Sequence, residues 1–264
     1  MANRILYIDP LGTPLSDAAP LLEAKRPDTE VTVVALPRGP WHLEPHYYEA
    51  LVLVDVLNLI KAAESEGFDA AIIGCFYDVG LHAAREVAER MIVTAPCEAS
   101  VHIAATLGHK FSIIVGRRKW IPQMMENVFS YGMKDKLASF KAVDLGVHDF
   151  HRDEAETARR FKAVGREAIE RDGAEVIILG CTATAGFYRE LQAELGVPVI
   201  DPMLAAFKTA EFGADLRKQF GWSHSKIGGY ETPRADELAE WGIEQQYDFG
   251  DMVAWLRKHQ PAGS

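Results

Sequence analysis

Two glycine-cysteine dipeptides, Gly74-Cys75 and Gly180-Cys181, stand 106 residues apart, each at the end of a short apolar run. The runs are Ala70-Ala-Ile-Ile-Gly-Cys75 and Glu175-Val-Ile-Ile-Leu-Gly-Cys181, and each is read as a strand leading directly into a helix. A thiol at a helix N-terminus faces unpaired backbone N–H groups and the positive end of the helix dipole, which favours the thiolate. The amides of Phe76, Tyr77, Thr182 and Ala183 can hold a carboxylate or a developing enolate oxygen. Either cysteine alone reads first as a buried, inert residue. As a pair they suggest more. One thiol could remove a proton from a carbon acid while the other delivers one to the opposite face, the chemistry of a cofactor-free racemase. Cys97 follows Pro96, has Met203 at its equivalent position, and is read as structural.

These cysteines must be positioned by an alternation of strands and helices. Apolar or β-branched runs at Ile5–Ile8, Val31–Leu36, Ala70–Gly74, Phe111–Val115, Phe140–Leu145, Val176–Gly180 and Val197–Ile200 read as strands. Helical spacing appears between them, as in Leu81, Ala84, Ala88 and Met91, and in Phe161, Val164, Ala168 and Ile169. Such alternation implies parallel sheets flanked by helices. A shift of 106 residues superposes several landmarks with no net insertion: Ile5–Ile8 on Phe111–Ile114, Thr32–Leu36 on Ala138–Ala142, Gly67 on Gly173, and Pro96 on Pro202. The expected fold is therefore α/β, with two similar lobes related by a pseudo-two-fold and the site in the crevice between them. Lobe 1 is expected to span 1–98 plus about 206–264, and lobe 2 to span 99–205.

The composition limits what this site could serve. The 264 residues are 48% hydrophobic and 25% charged, as in folded globular proteins. A net charge of -10 repels phosphate backbones and anionic lipid, so neither nucleic acid nor a membrane is an expected partner. The best apolar run, Ala50–Ile60, is interrupted by Asp55 and Asn58, and the N-terminal apolar stretch stops at Asp9-Pro10. Three cysteines make no disulfide framework, which points to the cytoplasm. His42 and His46 are four apart, but Pro45 lies inside the spacing and no metal motif surrounds them. No metal site is expected, and there is neither a phosphate loop nor a dinucleotide fingerprint. His148 and His151 read as solvent-facing, as does the basic cluster Arg117-Arg118-Lys119. Asp78 reads first as part of a helix's opening turn, and second as a residue holding the Cys75 loop.

Across about residues 3 to 235 the chain resembles the aspartate/glutamate/hydantoin racemase superfamily, and within it the hydantoin and allantoin racemase branch. The carriers are Gly74-Cys-Phe-Tyr-Asp-Val-Gly80, Gly180-Cys-Thr-Ala-Thr-Ala-Gly-Phe187, Leu43-Glu44 with Tyr47-Tyr48-Glu49, Gly116-Arg-Arg with Glu126-Asn127 and Tyr131-Gly132, and Ser225-Lys-Ile-Gly-Gly-Tyr230. The resemblance implies an isomerase without cofactor, possible homo-oligomers, Cys75 and Cys181 as catalytic residues, and a small-molecule substrate, a cyclic ureide. Asp9, Thr13, Phe76, Tyr77, Thr182 and Ala183 are the expected substrate-binding residues.

Departures from the branch pattern bear on the substrate. Asp9-Pro-Leu-Gly-Thr13 stands where the branch usually has Asn-Pro-Asn-Thr; a carboxylate there only accepts hydrogen bonds, which suits a neutral N–H donor over a carboxylate. Tyr77 and Val79 occupy variable places of the first cysteine motif, Tyr77 adding a ring and a hydroxyl beside the thiol. About thirty residues follow Tyr230, including an amphipathic stretch from Phe249 to Trp255. Three alternatives stay open: a racemase or isomerase of an acyclic acid, an arylmalonate-type decarboxylase using Cys181 alone, and a non-catalytic ligand-binding protein.

Overall fold

The computed structural model describes residues 2–13, 18–247 and 249–260. The first half runs β1 (Asn3–Asp9), α1 (Ala19–Ala24), β2 (Thr29–Ala35), α2 (His46–Ser65), β3 (Ala70–Ile73), α3 (Leu81–Val87), β4 (Ile92–Thr94) and α4 (Pro96–Leu107). The second repeats it as β5 (Phe111–Val115), α5 (Ile121–Ser130), β6 (Leu137–Ala142), α6 (Glu154–Asp172), β7 (Val176–Leu179), α7 (Tyr188–Leu195), β8 (Val199–Ile200) and α8 (Pro202–Phe220). A tail adds α9 (Ala235–Glu240), α10 (Ile243–Gln246) and α11 (Phe249–His259).

Each half builds a four-stranded parallel sheet, ordered β2-β1-β3-β4 and β6-β5-β7-β8. The central strands β3, β5 and β7 are buried along their whole length, which is why they read as unbroken apolar runs. The repeat extends to strand register. Ile5 pairs with Ala70 as Phe111 pairs with Val176, and Ala71 pairs with Val93 as Ile177 pairs with Val199. Gly67 and Gly173 both take left-handed backbone at helix ends, and Pro96 and Pro202 both open helices. The register departs by one residue at β5/β6, where a bulge lies between Phe111 and Ser112.

Differences from the sequence reading lie at the sheet edges. β4 has three residues, too few to register as a run. β6 occupies Leu137–Ala142 rather than 140–145; it is a half-exposed edge strand of mixed composition and carries no continuous apolar signal. α3 stops at Val87 instead of continuing to Met91, because the Glu64 carboxylate draws the amides of Glu89, Arg90 and Met91 out of helical pairing.

The chain divides into two compact units: Met1–Ile73, Val79–Thr94 and Phe207–Ser264 form the first, and Gly74–Asp78 with Ala95–Ala206 form the second. In the first unit, α11 lies along α2 and buries Met252 and Leu256. Asp55 and Asn58, which interrupt the apolar run of α2, are buried but paired. Asp55 receives Arg38 at 2.9 and 3.1 Å, and the Asn58 side-chain amide donates to the Tyr247 carbonyl at 2.6 Å. Among the described residues no helix is long and apolar enough to cross a membrane.

Candidate active site

Six of the eight expected site residues fall in the second unit: Cys75, Phe76, Tyr77, Cys181, Thr182 and Ala183. Asp9 and Thr13 belong to the first, Asp9 buried at the end of β1 and Thr13 half-buried four residues on. Neither cysteine opens an α-helix. Cys75 begins a turn closed by the Asp78 amide donating to its carbonyl at 2.9 Å, and α3 starts six residues after Cys75. Asp78 has left-handed backbone (φ 52°), which expels the chain from helical geometry before Leu81. Cys181, itself extended, precedes a single 3₁₀ turn at Thr182–Thr184, and α7 begins only at Tyr188, after Gly186 (φ 95°). The expectation of a strand running directly into a helix is therefore corrected. What remains at each thiol is one tight turn and its amides, without the field of a multi-turn helix.

Gly180 before Cys181 has a packing reason. A Cβ there would lie 2.9 Å from Ile113 Cγ2 and Val115 Cγ1 and 3.0 Å from the Ile114 carbonyl, so only glycine lets β7 end this close against β5.

A hydrogen bond joins the two turns. Thr182 Oγ1, just after Cys181, donates to the carbonyl of Gly74, just before Cys75, at 3.1 Å, with both partners buried. Both cysteines are half-exposed, Cys97 is fully buried, and none of the three is in a disulfide. Phe76 and Tyr77 are buried beside the first thiol. The amides of Phe76, Thr182 and Ala183 donate to no other described residue, which leaves these three N–H groups available to an oxygen acceptor.

Different groups hold the two turns. Asp78 Oδ1 accepts from the Cys97 amide and Oδ2 from the Glu98 amide, both at 2.8 Å, capping α4 from outside its own sequence. The Tyr131 hydroxyl donates to Oδ2 at 2.8 Å, and Asn127 Nδ2 donates to the Tyr77 carbonyl at 2.7 Å. Asp78 thus lies outside the opening turn of α3 and takes the second role, holding the Cys75 loop. Burial raises its carboxyl to about 7 against the pull of its three donors, and burial beside Asp78 also pushes up the Cys97 thiol and the Tyr131 phenol.

At the other turn, Thr184 N and Oγ1 both donate to the Cys181 carbonyl. His151 is exposed, as expected, yet engaged: Nε2 lies 2.9 Å from the Ala183 carbonyl and Nδ1 2.8 Å from Glu154 Oε1. A charged groove of about 500 Å³, lined by His151, Glu154, Arg159, Lys162 and Phe187, opens beside this turn and reaches neither thiol. Among the described residues no group of three or more His, Cys, Asp or Glu could hold a metal ion.

Asn127 and Tyr131 carry part of the family resemblance but are not among the expected site residues. Their spacing of four places them on one helical face, which was the available signal.

The family model described as Asp/Glu/Hydantoin racemase matches residues 17–210. The hydantoin racemase of Pseudomonas sp. (strain NS671) is 38% identical over 214 residues, covering 81% of this chain and 84% of that one. That of Paenarthrobacter aurescens is 37% identical over 236 residues, covering 87% and 97%. Among solved structures, the allantoin racemase from Klebsiella pneumoniae matches with a TM-score of 0.81 at 30% identity, covering 88% of this chain and 94% of that one. Paired glycine-cysteine turns on a duplicated parallel α/β scaffold, with these relatives, establish that the chain belongs to the Asp/Glu/hydantoin racemase family and is an isomerase of the racemase type.

Proposed function

We propose that this racemase acts on a cyclic ureide, a 5-substituted hydantoin or allantoin, and inverts its C5 centre by passing protons through Cys75 and Cys181 without a cofactor. The observation that carries the reading is the hydrogen bond from Thr182 Oγ1 to the Gly74 carbonyl, which couples the two cysteine turns. The hydantoin and allantoin racemases among the relatives support the ureide.

In the proposed reaction one cysteine, as thiolate, takes the hydrogen from C5. The C–H electron pair moves into the ring and places negative charge on the neighbouring carbonyl oxygen, where the amides of Phe76, Thr182 and Ala183 are the donors for it. The other cysteine, as thiol, protonates C5 from the opposite face, and thiol and thiolate have then exchanged roles. The ring makes this feasible for a thiol, because the carbanion is delocalised and partly aromatic. A carboxylate at Asp9 accepts a ring N–H and disfavours an acidic substrate, Thr13 adds a hydroxyl, and Tyr77 limits the ring substituent. Three cysteines without a disulfide fit a reducing compartment such as the cytoplasm, and the acidic balance fits a small-molecule partner.

The test is a panel of single-enantiomer hydantoins, allantoin and amino acids in deuterated buffer, followed by polarimetry and by the α-proton NMR signal. Ureides are expected to lose rotation as they take up deuterium. Turnover of acyclic acids alone would replace the ureide with a carboxylate substrate. Release of carbon dioxide from a disubstituted malonate would point to a decarboxylase.

A further inference from the structure

We infer that Asp78 and Tyr131 are positioning residues for Cys75 alone, so that each thiol has its own, separately breakable support. The inference rests on the two-thiol reading above. Asp78 is the third residue after Cys75 and closes its turn through its own amide. Its carboxylate is buried and engaged on both oxygens, by the Cys97 and Glu98 amides that open α4 and by the Tyr131 hydroxyl at the end of α5. Asn127, four residues before Tyr131, adds a second hold through the Tyr77 carbonyl. The turn carrying Cys75 is thereby anchored to the first turn of one helix and the last of another, in a left-handed conformation that an aspartate tolerates but does not prefer. Without these donors the carboxylate has no reason to stay buried, and the turn loses the contacts that select its geometry.

The hydrogen bonds of Asp78, Asn127 and Tyr131 described above go to the Cys75 turn and to α4, not to the Cys181 turn. At the same offset of 106 residues, Asp78 corresponds to Thr184, whose hydroxyl and amide stay local and donate to the Cys181 carbonyl. The helix corresponding to α4 is α8, and there a local residue, Asp201, accepts from the Met203 and Leu204 amides at 2.9 and 3.1 Å. The Asp78 arrangement is thus peculiar to one of two equivalent turns. A displaced Cys75 impairs deprotonation of the enantiomer whose hydrogen it faces and leaves the opposite enantiomer to Cys181.

The experiment measures α-hydrogen exchange in deuterated buffer for each enantiomer of a 5-substituted hydantoin separately. Racemisation itself cannot report the difference, because its forward and reverse efficiencies are bound together by an equilibrium constant of one. Cys75→Ala and Cys181→Ala identify which enantiomer belongs to which thiol. Tyr131→Phe keeps the ring and removes the hydroxyl; Asp78→Asn keeps the size and the left-handed tolerance and replaces one oxygen acceptor with an amide donor. Both are expected to slow exchange of the Cys75 enantiomer by at least about tenfold, the loss of one buried hydrogen bond, and to leave the other within about twofold. A merely structural role lowers both enantiomers alike, through the amount of folded enzyme, and that outcome overturns the inference. Should Asp78→Asn fail to fold, Tyr131→Phe decides alone. If the two cysteine variants do not divide the enantiomers between them, the two-thiol reading itself fails and takes this inference with it.

Discussion

The Cys75 and Cys181 turns sit at matching points of a repeated chain and are held by unlike chemistry. Around Cys75 the supports are buried: an aspartate on two helix-opening amides and a phenol, with Asn127 on the Tyr77 carbonyl. Around Cys181 they are short and partly solvent-facing: the Thr184 hydroxyl on the Cys181 carbonyl and an exposed His151 on the Ala183 carbonyl. The difference shows how a duplicated scaffold diverges. Strand register is retained between the inner strands because one slipped residue would invert every buried side chain, and it departs only at the edge pair β5/β6. The turns beyond the strand ends carry no such constraint, so each half meets the same need, paired backbone groups around a thiol, with whatever donors lie nearby.

The strongest way to break the comparison is to remove the thiols. Cys75→Ala and Cys181→Ala are each expected to lower racemisation about 10²–10⁴-fold, the usual effect of losing a positioned acid or base. Polarimetry on both variants checks this, and near-wild-type racemisation by either one sinks the two-thiol mechanism.

Thr182→Val tests the bond that joins the turns. It leaves the buried Gly74 carbonyl without its donor, a loss of about 1–3 kcal/mol. Unlike Tyr131→Phe, it should slow exchange of both enantiomers together, since both turns lose their common anchor. An effect on one enantiomer alone would show that the turns are independent.

The pH dependence of stability sharpens the contrast at Asp78. The folded protein keeps this proton up to about pH 7, and the unfolded chain only up to the ordinary value of 3.8. The folded state therefore holds more protons across that window, and the Asp78 contribution to stability declines as pH rises through it. Urea midpoints between about pH 4.5 and about pH 7.5 should decline less steeply with rising pH in Asp78→Asn than in the parent protein. An unchanged slope means the carboxyl is not the titrating group.

The smallest effect is expected at Cys97. Its thiol is buried and pushed up, so it stays protonated, while its amide rather than its sulfur serves Asp78. Cys97→Ala should cost about 1 kcal/mol in a thermal or urea melt and leave racemisation unchanged. Iodoacetamide should label Cys75 and Cys181 and spare Cys97.

Much of the architecture was legible in the residues themselves. Buried parallel strands are largely apolar, so β1, β3, β5 and β7 announce themselves, and a repeat at constant offset exposes both the duplication and the paired cysteines. Local pattern fell short at edges and turns. β4 and β6 are too brief or too exposed to form a run. The chain after each cysteine looks helical by composition, yet Asp78 and Gly186 in left-handed backbone delay the helix. Three facts were decided only by tertiary structure: that Asp78 caps a helix beginning eighteen residues later, that Tyr131 and Asn127 clamp the first thiol's turn, and that Thr182 ties one cysteine turn to the other. The physical reason is common to all three. Each bond joins a side chain to groups distant in sequence, and its strength comes from burial, which exists only once the chain has folded around it.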